Sequence, residues 1–211
     1  DAGGGRLLRI SADGKSGQVL ADRWNGARFN SINDVALDTK GNIYFSDPGG
    51  SSAENPIGSV YRYDISTNAI TQLATNLAFP NGLAVTVDQQ HLCVGESSRY
   101  HVLIYDLIEG RAESGRVLIE FPQQDEGDVR GGSFDPDGMI IDEAGRLYVA
   151  MWVGGVINVV DVTTGQLLRQ YDAGGLKATN CHFYDGYLYT TVAAKEAVFR
   201  LKLGVNGFGY N

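Results

Sequence analysis

A four-part phrase recurs along this chain and constrains its fold more tightly than any other feature. In the first complete copy, Asn33-Asp34-Val35-Ala36-Leu37-Asp38 leads through a Lys40-Gly41-Asn42 turn to Ile43-Tyr44-Phe45-Ser46-Asp47. Gly58-Ser59-Val60-Tyr61-Arg62-Tyr63-Asp64 and Ala69-Ile70-Thr71-Gln72-Leu73 complete it. Each run has strand length, is rich in β-branched and aromatic residues, and is bounded by turn formers. A second copy opens at Asn81-Gly82-Leu83-Ala84-Val85, a third at Asp137-Gly138-Met139-Ile140-Ile141 and a fourth at Asn180-Cys181-His182-Phe183. The third runs share a Gly, a β-branched residue two places on and a closing Asp at residues 58–64 and 155–161. Four-stranded units recurring every ~40–50 residues are the signature of β-propeller blades. A β-sandwich would also have short strands, but it has no reason to repeat one four-strand phrase.

Composition agrees with an all-β class. The chain carries 28 Gly against 5 Pro, and no stretch shows a sustained helical apolar period. Residues 1–211 read as a single propeller domain with a partial blade at 1–29 and blades starting near 30, 78, 134 and 177, about four and a half in all. In the partial blade, Arg6-Leu7-Leu8-Arg9-Ile10 and Gln18-Val19-Leu20-Ala21 read as the two outer strands. An open ring leaves strand edges unpaired, so the remaining strands are expected upstream of Asp1.

Charge narrows the partners. With a net charge of −8 and a pI near 4.8, no basic face exists to neutralise nucleic-acid phosphates or an anionic membrane surface. No apolar run reaches the ~18 residues of a membrane span, so a soluble chain is expected, whether cytoplasmic, periplasmic or secreted. Cys93 and Cys181 lack metal-ligand spacing and read as buried thiols, with a disulfide as the alternative.

In a propeller the first strand of each blade lines the central channel, and all these strands run the same way. Residues opening them therefore meet at one mouth, and here they are Asn33, Asn81, Asp137 and Asn180. Three amides and one carboxylate form the low-charge oxygen set that suits a hard cation such as Ca²⁺. Imidazole and thiolate ligands favouring zinc are largely lacking. Asn and Asp also favour turns before strands, where they bond neighbouring backbone; their recurrence at four matching places favours the cation. His182, two residues into its strand, either faces the channel as an acid or base or packs between blades. Trp152 is a candidate apolar wall of a substrate pocket. Asp47 and Glu96 end second strands on the same side, as pocket or supporting groups, and Asp125-Glu126-Gly127-Asp128 reads as a solvated loop or a lid.

These motifs, in this order and spacing, resemble the gluconolactonase/SMP-30/luciferin-regenerating-enzyme family. The resemblance is carried by Asn30-Ser31-Ile32-Asn33-Asp34 with Ile43-Tyr44-Phe45-Ser46-Asp47-Pro48, by Phe79-Pro80-Asn81-Gly82-Leu83-Ala84, and by Pro136-Asp137-Gly138-Met139 with Leu147-Tyr148-Val149-Ala150-Met151-Trp152. It implies a six-bladed propeller and a calcium-dependent hydrolase of a sugar-type or other lactone, with Zn²⁺, Mg²⁺ or Mn²⁺ as alternative ions. Asn81 and Asp137 would be direct ligands, Asn33 a ligand or a water-linked neighbour, and Asp137 also the general base or nucleophile. The related diisopropylfluorophosphatases, phosphotriesterases on the same plan, place a histidine near the metal that His182 resembles. Two departures stand out. The family's ligating glutamate, in a Glu-Gly-Pro-x-Trp-like context, has no counterpart in this chain, which keeps a non-enzymatic binding scaffold in view. Ser31 stands where some animal members carry Arg, with Arg28 nearby.

Overall fold

Val-, Ile- and aromatic-rich runs between glycine turns fold as strands, and almost all regular structure in the chain is β. The computed structural model describes residues 1–122 and 135–209; the acidic stretch Asp125-Glu126-Gly127-Asp128 lies outside them. The chain opens with two hairpins, β1 (Leu7–Ile10) with β2 (Gly17–Ala21) and β3 (Arg23–Trp24) with β4 (Ala27–Arg28). Blade A follows as β5 (Val35–Leu37), β6 (Ile43–Asp47), β7 (Gly58–Tyr63) and β8 (Ile70–Leu77). Blade B contains β9 (Pro80–Val85), β10 (His91–Glu96), β11 (His101–Ile108) and β12 (Arg111–Glu120). In blade C, β13 (Pro136–Ile141), β14 (Arg146–Met151), β15 (Val156–Asp161) and β16 (Leu167–Asp172) repeat the order. Blade D has three strands, β17 (Ala178–Tyr184), β18 (Tyr187–Val192) and β19 (Ala197–Lys202). Every strand pairs antiparallel with its sequence neighbour, and the four sheets are arranged as a propeller.

The core lies between blades. Successive side chains of a strand point to opposite faces, and in β14 both faces are covered. Leu147, Val149 and Met151 pack toward blade B among Ala84, Cys93 and Val102. Tyr148 and Ala150 pack on the other side with Cys181, Phe183 and Leu188 of blade D. A strand buried on both faces needs no polar alternation, which is why Leu147-Tyr148-Val149-Ala150-Met151 is uninterrupted. Tyr44 and Val60 of blade A meet Leu83, Leu92 and Val94 of blade B in the same manner. The opening hairpins close onto blade A through an aromatic group, with Phe29 edge-on to Phe45 at 5.1 Å between ring centroids.

Cys93 and Cys181 are free and sit in different blade interfaces, so the disulfide alternative does not hold. Burial pushes the Cys93 thiol up to about 12, which leaves it unreactive. Leu147 has no solvent-exposed area. Leu147→Ala is expected to cost about 2–5 kcal/mol, the sum of lost transfer energy and an uncollapsed cavity. Chemical denaturation measures it.

Candidate functional site

The four inner strands share one irregularity. Pro80 pairs with Glu96 and Leu83 with Val94, so Asn81 and Gly82 together oppose the single residue Gly95. Pro136 pairs with Met151 and Met139 with Val149, which sets Asp137 and Gly138 against Ala150. Ala178 pairs with Val192 and Asn180 with Thr191, leaving Thr179 as the extra residue. In blade A the Asn33 N–H donates to the Ser46 carbonyl at 2.9 Å, and the Ser46 N–H donates to the Asp34 carbonyl at 3.1 Å. Each inner strand therefore enters the channel through a β-bulge, which turns its first residue out of the ladder.

The first bulge residues of all four blades, Asn33, Asn81, Asp137 and Thr179, line one cavity of about 540 Å³ at the channel mouth. Three of the four expected residues meet there. The fourth expectation needs correcting by one residue: Thr179 is in register with Asn81 and Asp137, while Asn180 takes the register of Gly82 and Gly138. A side chain at Gly138 would collide with the Asn180 amide, so the glycine makes room for it. Asn180 and His182 line a second cavity of about 350 Å³ further along the channel, together with Asp34. Trp152 lines the mouth cavity as expected, and the Lys177 ammonium lies 5.6 Å from its ring centroid.

Glu96 is almost wholly buried behind the cavity rather than lining it. It accepts the Ala78 N–H at 2.5 Å and the Arg99 guanidinium at 2.7 Å, and His101 Nε2 lies 2.5 Å away. Burial alone would raise its carboxyl; His101 and the Ala78 N–H outweigh that and hold it below the usual range. Asp47, at the matching place in blade A, accepts the Asn30 and Ser31 N–H groups at 3.0 and 2.7 Å. Each of these carboxylates anchors the segment that delivers a mouth residue, Asn81 in one case and Asn33 in the other.

Electrostatics at the mouth is one-sided. Burial, and then the charge of Asp34, pushes the Asp137 carboxyl up to about 7, partly offset by hydrogen bonding with Asn81. Asp34 is itself pushed up to about 6 by burial, and burial also raises Asp135, another residue lining the cavity. None of the described residues lining the cavity is Lys, Arg or His. Asn81 Oδ1 is buried without a hydrogen-bond partner. A buried amide oxygen left bare beside a desolvated carboxylate is costly, and a bound cation would satisfy both. Among the described residues no cluster of three or more His, Cys, Asp or Glu side chains could hold a metal, and the mouth combines the amides of Asn33 and Asn81 with the Asp137 carboxylate. The donors present fit a hard, oxygen-liking cation and do not fit zinc. Asp34, Asp135 and Thr179 were not singled out from the sequence. The equivalence of Thr179 to Asn81 and Asp137 lies in the cross-strand register, and no fixed spacing along the sequence marks it.

Comparison with known proteins follows the same line. The profile of the SMP-30/Gluconolactonase/LRE-like region matches residues 2–194. The chain is 26% identical over 213 residues to a gluconolactonase of Zymomonas mobilis, covering 96% of this chain and 58% of that protein. It is 29% identical over 217 residues to the diisopropyl-fluorophosphatase of Loligo vulgaris, covering 95% and 66% respectively. A solved gluconolactonase of Xanthomonas campestris superposes with a TM-score of 0.77 at 28% identity, over 95% of this chain and 66% of that one. The chain thus spans between 58% and 66% of the length of these relatives.

Proposed function

Given that the chain belongs to the SMP-30/gluconolactonase/LRE-like family, we propose that it hydrolyses a lactone, of sugar type or otherwise, at the channel mouth with a divalent cation in place. The observation that carries this reading is the bare, buried Oδ1 of Asn81 next to the desolvated Asp137 carboxylate. Asn33, Asn81 and Asp137 would hold the cation; the all-oxygen donor set favours a hard ion such as calcium over Zn²⁺ and is shared by Mg²⁺ and Mn²⁺. When bound, the cation draws charge from the lactone carbonyl oxygen. Asp137 takes a proton from the attacking water as general base. The water oxygen bonds to the carbonyl carbon, the ring C–O bond breaks, and the departing alkoxide is protonated to give the open hydroxy acid. Phe79 and Trp152 supply apolar walls for ring carbons, while Ser98, Tyr100 and Thr179 offer hydroxyls to a polyhydroxylated ring.

A phosphotriester is the second substrate class, favoured by the similarity to the squid enzyme. The test is a lactone-versus-phosphotriester panel on the full chain, with added calcium and with chelator. Lactone turnover lost to chelator and restored by calcium is the expected result. Turnover of the phosphotriester alone transfers the function to the second class. Calcium binding without turnover of either leaves a binding scaffold.

His182 lines the inner channel cavity and not the mouth. His182→Phe is therefore expected to fold, melt close to wild type and keep most lactone turnover. A large loss of turnover at unchanged melting temperature and calcium affinity would return the imidazole to the mechanism.

A further inference from the structure

The tip of an asparagine carries one oxygen and one nitrogen of similar size, and only the oxygen can bind a cation. A cation site built on Asn81 therefore needs something to choose between them. Ser97, nearly buried just beyond the end of β10, is placed to do so. Its Oγ lies 2.6 Å from the Pro136 carbonyl oxygen and 3.3 Å from Asn81 Nδ2. A carbonyl oxygen can only accept, so the single hydroxyl proton of Ser97 is committed to Pro136. Toward Asn81 the hydroxyl has only lone pairs to offer, so it can be satisfied only by the N–H side of the amide. Asn81 Oδ1 is then the atom left bare, as observed.

Ser97 is itself held from two directions. Its N–H donates to the Phe79 carbonyl at 3.0 Å, and the neighbouring Ser98 N–H donates to the Ala78 carbonyl at 3.2 Å. Glu96, immediately before it, grips the Ala78 N–H. The segment delivering Asn81 and the turn carrying Ser97 are thus one hydrogen-bonded unit. Because Pro136 directly precedes Asp137, the same hydroxyl also ties blade B to blade C at the spacing between the two strongest candidate ligands.

We propose that Ser97 is a positioning residue of the mouth site, fixing the Asn81 amide with its nitrogen on the Ser97 hydroxyl and its oxygen left free for the cation. This assignment rests on the reading of the mouth as a cation site. Partners that orient metal ligands without touching the metal typically change affinity by roughly 10–100-fold when removed. The test is a double-mutant cycle on calcium binding to the full chain, read by titration calorimetry, with the melting temperature of the calcium-free protein measured alongside. Ser97→Ala is expected to weaken calcium by that factor while melting close to wild type. In an Asn81→Asp background both tip atoms are oxygens, so no orientation remains to be chosen, and adding Ser97→Ala should change affinity little. An equal loss in both backgrounds, or wild-type affinity in Ser97→Ala, overturns the assignment and leaves the cation site standing. No saturable calcium binding by the wild type overturns the cation site itself, and the assignment with it.

Discussion

Asp137→Asn is expected to leave the fold and part of the calcium affinity intact while turnover of a lactone falls by at least ~10²-fold, the lower range for loss of a general base. The substitution keeps an oxygen donor of the same shape at the mouth. It removes the negative charge and, of the three residues proposed to hold the cation, the one able to accept a proton. The calcium-free protein should not suffer. The Asp137 carboxyl is pushed up to about 7 by burial and by Asp34, so its ionised form is a strain on the folded state at neutral pH, and a neutral amide relieves it. A variant that melts at or above wild type, binds calcium more weakly and turns over lactone at a small fraction of the rate at saturating calcium is the expected pattern. Turnover near wild type would remove Asp137 from the mechanism.

Gly82→Ala should be the most disruptive single-methyl change near the site. A Cβ at residue 82 would lie 2.2 Å from the Asp137 carbonyl oxygen and 3.0 Å from the Gly138 Cα. Both obstacles are main chain of the adjacent blade, so no side chain can swing aside, and the inner strands of blades B and C must separate. Overpacking of this kind costs about 1–3 kcal/mol, and a backbone obstacle points to the upper end. At roughly 2–4 °C per kcal/mol for a chain of this size, the melting temperature should fall by about 6–12 °C. Calcium affinity should fall with it, because Asn81 and Asp137 flank the point of contact. Gly138→Ala is the control: its Cβ meets the Asn180 side chain, which can rotate, so the loss should be smaller. Equal, small effects at the two glycines would mean that the inner strands have slack.

The blades were legible because their chemistry is local. A propeller strand announces itself by length, β-branched residues and bounding turns, and four copies of one phrase corroborate each other. Asn81 and Asp137 were legible for the same reason, since Pro-Asn-Gly and Pro-Asp-Gly carry the bulge and its glycine in the sequence. Thr179 was not, because Ala178-Thr179-Asn180-Cys181 has no glycine to mark the bulge, and the more eye-catching Asn180 stands in the glycine's place. Glu96 and Asp47 were placed on the right face, but end-of-strand position alone does not say whether a carboxylate opens into a cavity or closes on backbone N–H groups. The effect of the Asp34 charge on the Asp137 carboxyl joins residues of different blades, and nothing in a linear sequence measures that proximity.

The bulge at the start of every inner strand has an evolutionary consequence. A residue in a regular ladder is constrained by its cross-strand partner and by the wedge it packs into. The mouth residues have no such partner, since each is the extra residue of its bulge. Selection can therefore rewrite Asn, Asn, Asp or Thr one letter at a time, altering the charge and hardness of the donor set, while the apolar strands behind remain unchanged. A scaffold arranged in this way separates inheritance of fold from inheritance of chemistry.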